Sequence, residues 1–204
     1  MKHALIVKVA LISTFILLVV ATSVAGFILM FGNSLPSLII LHYQGIMRNL
    51  DNEEMLTTLR GMFEKDRNFT DITDFYKWEH DHVQFINTNE SFERSNDPLR
   101  ILQVQKGKCG EFSVLYVALC LAYGQKARIT LAFDVNGPMS WTQQHNFVEV
   151  KIGNNWTHVD PSDQVWNETF HYATWSWGKT LGSTTRIYAF EDGGTVTDIT
   201  QNYE

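Results

Sequence analysis

At 204 residues, with 45% hydrophobic and 13% aromatic residues, the chain has material for one sizeable core and an appendage, not for two full domains. Its formal net charge of -6, without any cluster of Lys and Arg, excludes a nucleic-acid backbone as the expected partner. Charged residues at 19% beside so many aromatics also exclude a disordered tail.

The first element is an apolar run from Val9 to Phe31 without a charge. As a helix it would be about 34 Å long, against a hydrocarbon core of roughly 30 Å. Lys2 and Lys8 precede it and nothing basic follows until Arg48, so residues 1–8 are expected in the cytoplasm and the rest outside. Ser23-Val24-Ala25 has the small residues of a signal-peptidase site, but the apolar run continues past it. The reading adopted is a retained transmembrane anchor over 9–31, a linker over 32–47 and one domain over 48–204.

Within that domain, the Asx residues at 51 and 52 and Glu53 and Glu54 predict a helix start, with Met55, Leu59, Met62 and Phe63 at helical spacing. A second helix is predicted from Thr73 to Phe85, with Phe75, Trp78, His82 and Phe85 on one face; Asn87 to Asp97 reads as a loop and Pro98 opens the next segment. The stretch from Cys109 to Tyr123 is apolar on all sides apart from Glu111 and Ser113, and Gly124 closes it; such a helix belongs inside a domain. Strands are predicted over Ala127 to Val135, His145 to Ile152, Trp156 to Asp160, Arg186 to Phe190 and Thr195 to Ile199, with Gly153-Asn154 as a hairpin turn. Helices first and an antiparallel sheet afterwards is an α+β arrangement.

The candidate chemistry begins with two cysteines. Cys109 and Cys120 lie about 16 Å apart on one helix, beyond the roughly 7 Å between Cα atoms that a disulfide tolerates, so both are expected as free thiols. Cys120 is a small core residue; Cys109, at the first turn after a basic Gln105–Lys108 stretch, sits where unpaired N–H groups favour a thiolate and can hold an oxyanion. Side chains alternate along strands, so His145, Phe147 and Glu149 share one face, as do Trp156, His158 and Asp160 on the partner strand, and the hairpin brings His145 beside Asp160. Cys109, His145 and Asp160 are therefore the expected catalytic triad. His158 ranks below His145 as a base. Glu79, His80, Asp81 and His82 have a metal-site composition but read as a solvated helix face, and a zinc site on Cys109, His145 and Asp160 lacks the spacing of known zinc motifs. No metal or cofactor is expected.

The segment from Asp97 to Thr130 (DPLRILQVQKGKCGEFSVLYVALCLAYGQKARIT), the block HNFVEVKIGNNWTHVDPSD and the tail from Tyr172 to Tyr203 together resemble the Cys, His and Asp blocks and C-terminal strands of the transglutaminase-like superfamily, most of all its peptide N-glycanase branch. The resemblance implies a papain/transglutaminase-like core, with a buried nucleophile helix packed on an antiparallel sheet. It implies attack by Cys109 on a carboxamide while His145, oriented by Asp160, protonates the departing amine. Gln103 and Gln105 are candidate second oxyanion donors. Eukaryotic members of that branch carry paired CxxC zinc ligands, which this sequence of two cysteines lacks. Sequons at Asn68, Asn89, Asn155 and Asn167 fit an exported face.

The expected function is thus a membrane-anchored amide hydrolase for glycoprotein or peptide substrates. The alternatives are a protein-glutamine acyltransferase or a cysteine protease and, of another class, a non-catalytic surface module that binds peptide or glycan through aromatics such as Trp141, Trp156, Trp166, Trp175 and Trp177.

Overall fold

A computed structural model describes residues 35–64, 72–86, 91–134, 144–162, 165–166 and 185–203. The expected anchor over 9–31, the sequons at Asn68, Asn89 and Asn167, and Trp141, Trp175 and Trp177 lie outside them. Among the described residues no helix is long and apolar enough to cross a membrane. The chain forms two compact units, 1–41 and 42–204. The helices are α1 (Leu35–Leu50), α2 (Glu53–Glu64), α3 (Ile72–His82), α4 (Pro98–Val104) and α5 (Cys109–Ala122). The strands are β1 (Gln84–Phe85), β2 (Lys106–Gly107), β3 (Ala127–Asp134), β4 (His145–Ile152), β5 (Asn155–Asp160), β6 (Val165–Trp166), β7 (Thr185–Glu191) and β8 (Thr195–Asp198).

Helix α5 has no polar stripe to turn toward water, and every residue from Glu111 to Cys120 is buried. It packs on β3 and β4 on one side and on α2, α3 and α4 on the others. Its C-terminal carbonyls are answered locally: Arg60 Nε donates to the Ala122 carbonyl at 2.6 Å, where a cation also suits the negative end of the helix dipole. The sheet runs β6-β5-β4-β3-β7-β8, all antiparallel. Helices then an antiparallel sheet is the α+β order that the sequence implies.

Register decides what each face carries. Thr130 lies opposite Phe147 and Ala189, Arg128 opposite Glu149, and Glu149 opposite His158. That face holds a small apolar cluster of Ala132, Phe147, Ile187, Ala189 and Ile199, with Tyr203 packed against it. Beside the cluster lies a buried charge network. Arg128 reaches Glu149 at 2.7 Å and Glu191 at 2.5 Å with its guanidinium 4.0 Å over the Trp156 ring, and Tyr203 donates its hydroxyl to Glu149 at 2.6 Å.

Three elements differ from the sequence expectation. The segment read as a linker is helical from Leu35. Past residue 41, its Tyr43, Ile46, Met47 and Leu50 recur at helical spacing and are buried. Gln44 and Arg48 donate to the carbonyls of Gly194 and Gly193 in the β7–β8 turn. Gly194 has φ +77°, and a Cβ there would stand 3.0 Å from the Gln44 carbonyl, so only glycine suits this contact. In α2 the buried residues are Leu56, Leu59 and Phe63, while Met62 faces solvent. Helix α3 ends at His82 rather than Phe85, because Gln84 and Phe85 pair in parallel with Lys106 and Gly107.

In the acidic cluster on α3, Asp81 and His82 are exposed as a solvated face requires, but Glu79 departs from that reading and is fully buried. Both its carboxyl oxygens lack a hydrogen-bond partner among the described residues, and burial raises its pKa well above the ordinary 4.5. A carboxyl whose folded pKa is raised costs nothing while both states are protonated, and destabilises the fold as pH rises from the unfolded value toward the folded one. Thermal melts from pH 5 to pH 8 should therefore show the wild type losing stability relative to Glu79→Gln as pH rises; parallel curves would refute the buried acid. For the network, Arg128→Met should cost about 3–5 kcal/mol in urea unfolding by stranding Glu149, and the double substitution Arg128→Met/Glu149→Met should recover most of that loss.

Candidate active site

The site starts from the tie before α5. Gly107 pairs with Phe85, and an added Cβ there would lie 2.6 Å from the Glu111 Cβ, so β2 and the first turn of α5 touch with no room for a side chain. The buried Glu111 carboxylate accepts from the Lys108 backbone N–H at 3.0 Å and pairs with Arg94. A carboxylate across the first turn suits the positive end of the helix. Cys109 is thereby set, half-buried, at the helix N-terminus, with Cys120 buried further along the same helix; both are free thiols.

The β4–β5 hairpin brings the other two expected residues together. Ile152 pairs with Asn155 and Val148 with Val159, so His145 and Asp160 share a face as diagonal neighbours. His145 Nε2 lies 2.5 Å from Asp160 Oδ2, and both groups are buried. Asp160 Oδ1 is held by the Ser162 backbone N–H at 3.0 Å and its hydroxyl at 2.7 Å, which fixes the carboxylate plane. With Nε2 on Asp160, Nδ1 is the nitrogen available to Cys109.

Each group alters its neighbour's titration. Burial works against charge on His145, yet the charge and hydrogen bond of Asp160, with those of Cys109, raise its pKa to about 10. Burial likewise pushes the Cys109 thiol up, but the His145 hydrogen bond and charge and the Asn146 backbone N–H outweigh it and bring the pKa below its ordinary value. For Asp160 burial is overcome by His145 and then by Ser162, and the pKa falls. The three shifts run in the direction that favours a thiolate beside an imidazolium beside a carboxylate, the pairing an activated sulfur nucleophile uses. His158, ranked second as a base, is instead packed 4.5 Å from the Phe147 ring, and burial lowers its pKa to about 4.

Other expectations meet the structure differently. Gln103 is exposed and accepts from Arg100 at 3.2 Å; Gln105 is exposed in the left-handed region at φ 51°. Two residues that sequence reasoning left aside stand at the thiol. Tyr43 of α1 donates its hydroxyl to Asn146 Oδ1 at 2.8 Å, and Asn146 Oδ1 lies 4.0 Å from Cys109 Sγ. Burial, then the nearby Cys109, raise the Tyr43 pKa, so its hydroxyl keeps its proton. Alternation put Asn146 on the face away from His145, which hid it; at the strand end both side chains meet the same sulfur.

Iodoacetamide labelling of the full chain tests the charge state. Wild-type Cys109 should label at pH 7 at a larger fraction of its pH 9 rate than an ordinary thiol does, because its pKa is lowered. His145→Ala removes the partner that most lowers the thiol pKa, leaving burial opposed only by the Asn146 backbone N–H, and labelling at pH 7 should fall several-fold or more. An unchanged profile in the variant would dissolve the pair.

The family model of the transglutaminase-like superfamily matches residues 58–161, half of the chain. The chain is similar to the peptide-N(4)-(N-acetyl-beta-glucosaminyl)asparagine amidase of Arabidopsis thaliana, 29% identical over 116 residues, covering 57% of this chain and 14% of that one. It is similar also to that of Gallus gallus, 30% identical over 154 residues, covering 70% and 21%. It thus spans about a fifth or less of these relatives' length. Overlay on a chain of the Rad4–Rad23 complex crosslinked to undamaged DNA gives a TM-score of 0.41 at 16% identity, covering 93% of this chain and 47% of that one, too slight a likeness to bear on function. With its buried helix on an antiparallel sheet and the family match running from α2 through the Asp160 block, the chain belongs to the transglutaminase-like superfamily.

Proposed function

We propose that this chain is a membrane-anchored cysteine amidohydrolase of glycoprotein or peptide substrates, with Cys109, His145 and Asp160 as its triad. The observation that supports it most is the continuous line of contacts from Cys109 through His145 to Asp160, with a pKa pattern that favours thiolate and imidazolium together. The relatives named above are amidases of glycosylated asparagine, which makes the Asn-linked glycan the substrate class to try first.

In this mechanism the Cys109 thiolate adds to a carboxamide carbon, and the carbonyl π pair moves to oxygen. The first-turn N–H groups of α5 face that oxyanion. His145 gives its proton to the amide nitrogen, the C–N bond breaks, and the amine leaves from an acyl thioester. Water then adds, His145 takes its proton, and the C–S bond breaks to return the thiolate. On a glycosylated Asn the products are an Asp side chain and the amino-terminated glycan. Asp160 holds the imidazole orientation throughout.

The anchor and sidedness rest on sequence: residues 1–8 cytoplasmic, 9–31 spanning, 32–47 joining, and 48–204 carrying the site outside, with Asn155 as an exposed sequon at the start of β5. Full chain in detergent, incubated with an Asn-linked glycopeptide, should convert Asn to Asp by mass spectrometry. Cys109→Ala should abolish this, and His145→Ala and Asp160→Asn should lower it by roughly 10³-fold or more and 10²–10⁴-fold. Glutamine-to-amine transfer in place of deglycosylation would establish acyltransfer, peptide cleavage a protease, and tight glycopeptide binding without turnover a surface module.

A further inference from the structure

We infer that the Asn146 side chain is the second oxyanion donor of this site: its Nδ2–H binds the carbonyl oxygen as Cys109 adds to the carbon, and Tyr43 holds it in position. This rests on the amidase reading above.

Asn146 is 2% exposed, yet its Nδ2 has no hydrogen-bond partner among the described residues. Buried amide donors are nearly always paired, and an asparagine kept only for packing is readily replaced by an apolar residue that carries no donor. The other end of the same carboxamide is tied down, since Oδ1 accepts from Tyr43 Oη at 2.8 Å. Fixing Oδ1 fixes the amide plane and polarises Nδ2–H toward stronger donation. The carboxamide lies against the nucleophile, with Oδ1 4.0 Å from Cys109 Sγ, and the Asn146 backbone N–H already faces the thiolate. A preorganised donor that finds its partner only when negative charge forms on the substrate is what an oxyanion site requires.

At Gly110, next to the thiol, a Cβ would lie 3.3 Å from Arg94 Nη2 and 3.7 Å from Asn146 Oδ1, so the first turn of α5 passes within contact distance of the carboxamide. The glutamines that precede Cys109 in the chain, Gln103 and Gln105, are exposed, whereas Asn146 is buried against the sulfur. Tyr43 touches Asn146 and not the reacting carbon, and is a positioning residue.

The test compares two reactions of Cys109 in the full chain. Acylation by 4-nitrophenyl acetate passes through a tetrahedral oxyanion, whereas alkylation by iodoacetamide does not. Asn146→Ala should slow acylation about 10²–10³-fold while alkylation changes by less than about threefold. Asn146→Asp, which keeps the shape and removes the donor, should lower the acylation-to-alkylation ratio similarly and decides the matter should the alanine variant misfold. Tyr43→Phe should lower the limiting acylation rate about 3–10-fold with the ester's half-saturation concentration unchanged. Acylation and alkylation falling together would make Asn146 a thiolate support and overturn the inference, as would an unchanged ratio. If the wild-type thiol reacts slowly with both reagents, the amidase reading itself fails, which the alkylation arm alone reveals.

Discussion

The constraint on which the rest depends is the absence of a polar face on α5. A helix that is apolar all round has to be enclosed, and enclosure takes a sheet on one side and several helices on the others. Only its ends can reach the surface. The C-terminal end is closed by Arg60, which leaves the N-terminal end, where first-turn N–H groups have no intrahelical partner, as the end open to a substrate. Cys109 occupies that position, so the same packing that builds the core delivers the sulfur to the positive end of a dipole.

Burying an ionised imidazole and carboxylate is expensive unless they compensate each other. His145 and Asp160 do so because a two-residue turn sets their strands in one register, with Ser162 completing the carboxylate. The opposite end of that sheet face repeats the solution with different partners, where Arg128 sits between Glu149, Glu191 and the Trp156 ring. Buried charge on this face is therefore gathered into two groups, each built around one cation, with Phe147 between them.

Much of this was legible in the sequence because it rests on short-range rules. Alternation and a Gly153-Asn154 turn place His145 and Asp160 together, and an unbroken apolar run followed by Gly124 marks α5 as buried. The strand of His145 through Ile152 is found with those bounds. What was not legible depends on contacts between segments distant in sequence. The buried stripe of Tyr43, Ile46, Met47 and Leu50 is interrupted by Gly45 and a polar Gln44, and its helical character emerges from docking on the β7–β8 turn. Glu79 has the neighbours of a surface cluster and is buried because α3 also carries Phe75 and Trp78 inward. Asn146 sits on the face that alternation assigns to the helices, and only the meeting of the α5 N-terminus with the end of β4 puts it at the sulfur.

The β4–β5 hairpin has a consequence for how such a chain can change its length. Residues inserted at the Gly153-Asn154 tip lengthen an exposed loop and leave the paired strands as they are. Loss or gain of a single residue between Asn155 and Asp160 would turn the carboxylate to the other side of the sheet, toward α5 and away from the imidazole. Among descendants of such a chain, insertions and deletions should therefore collect at the tip, and any that enter the strands should come in twos.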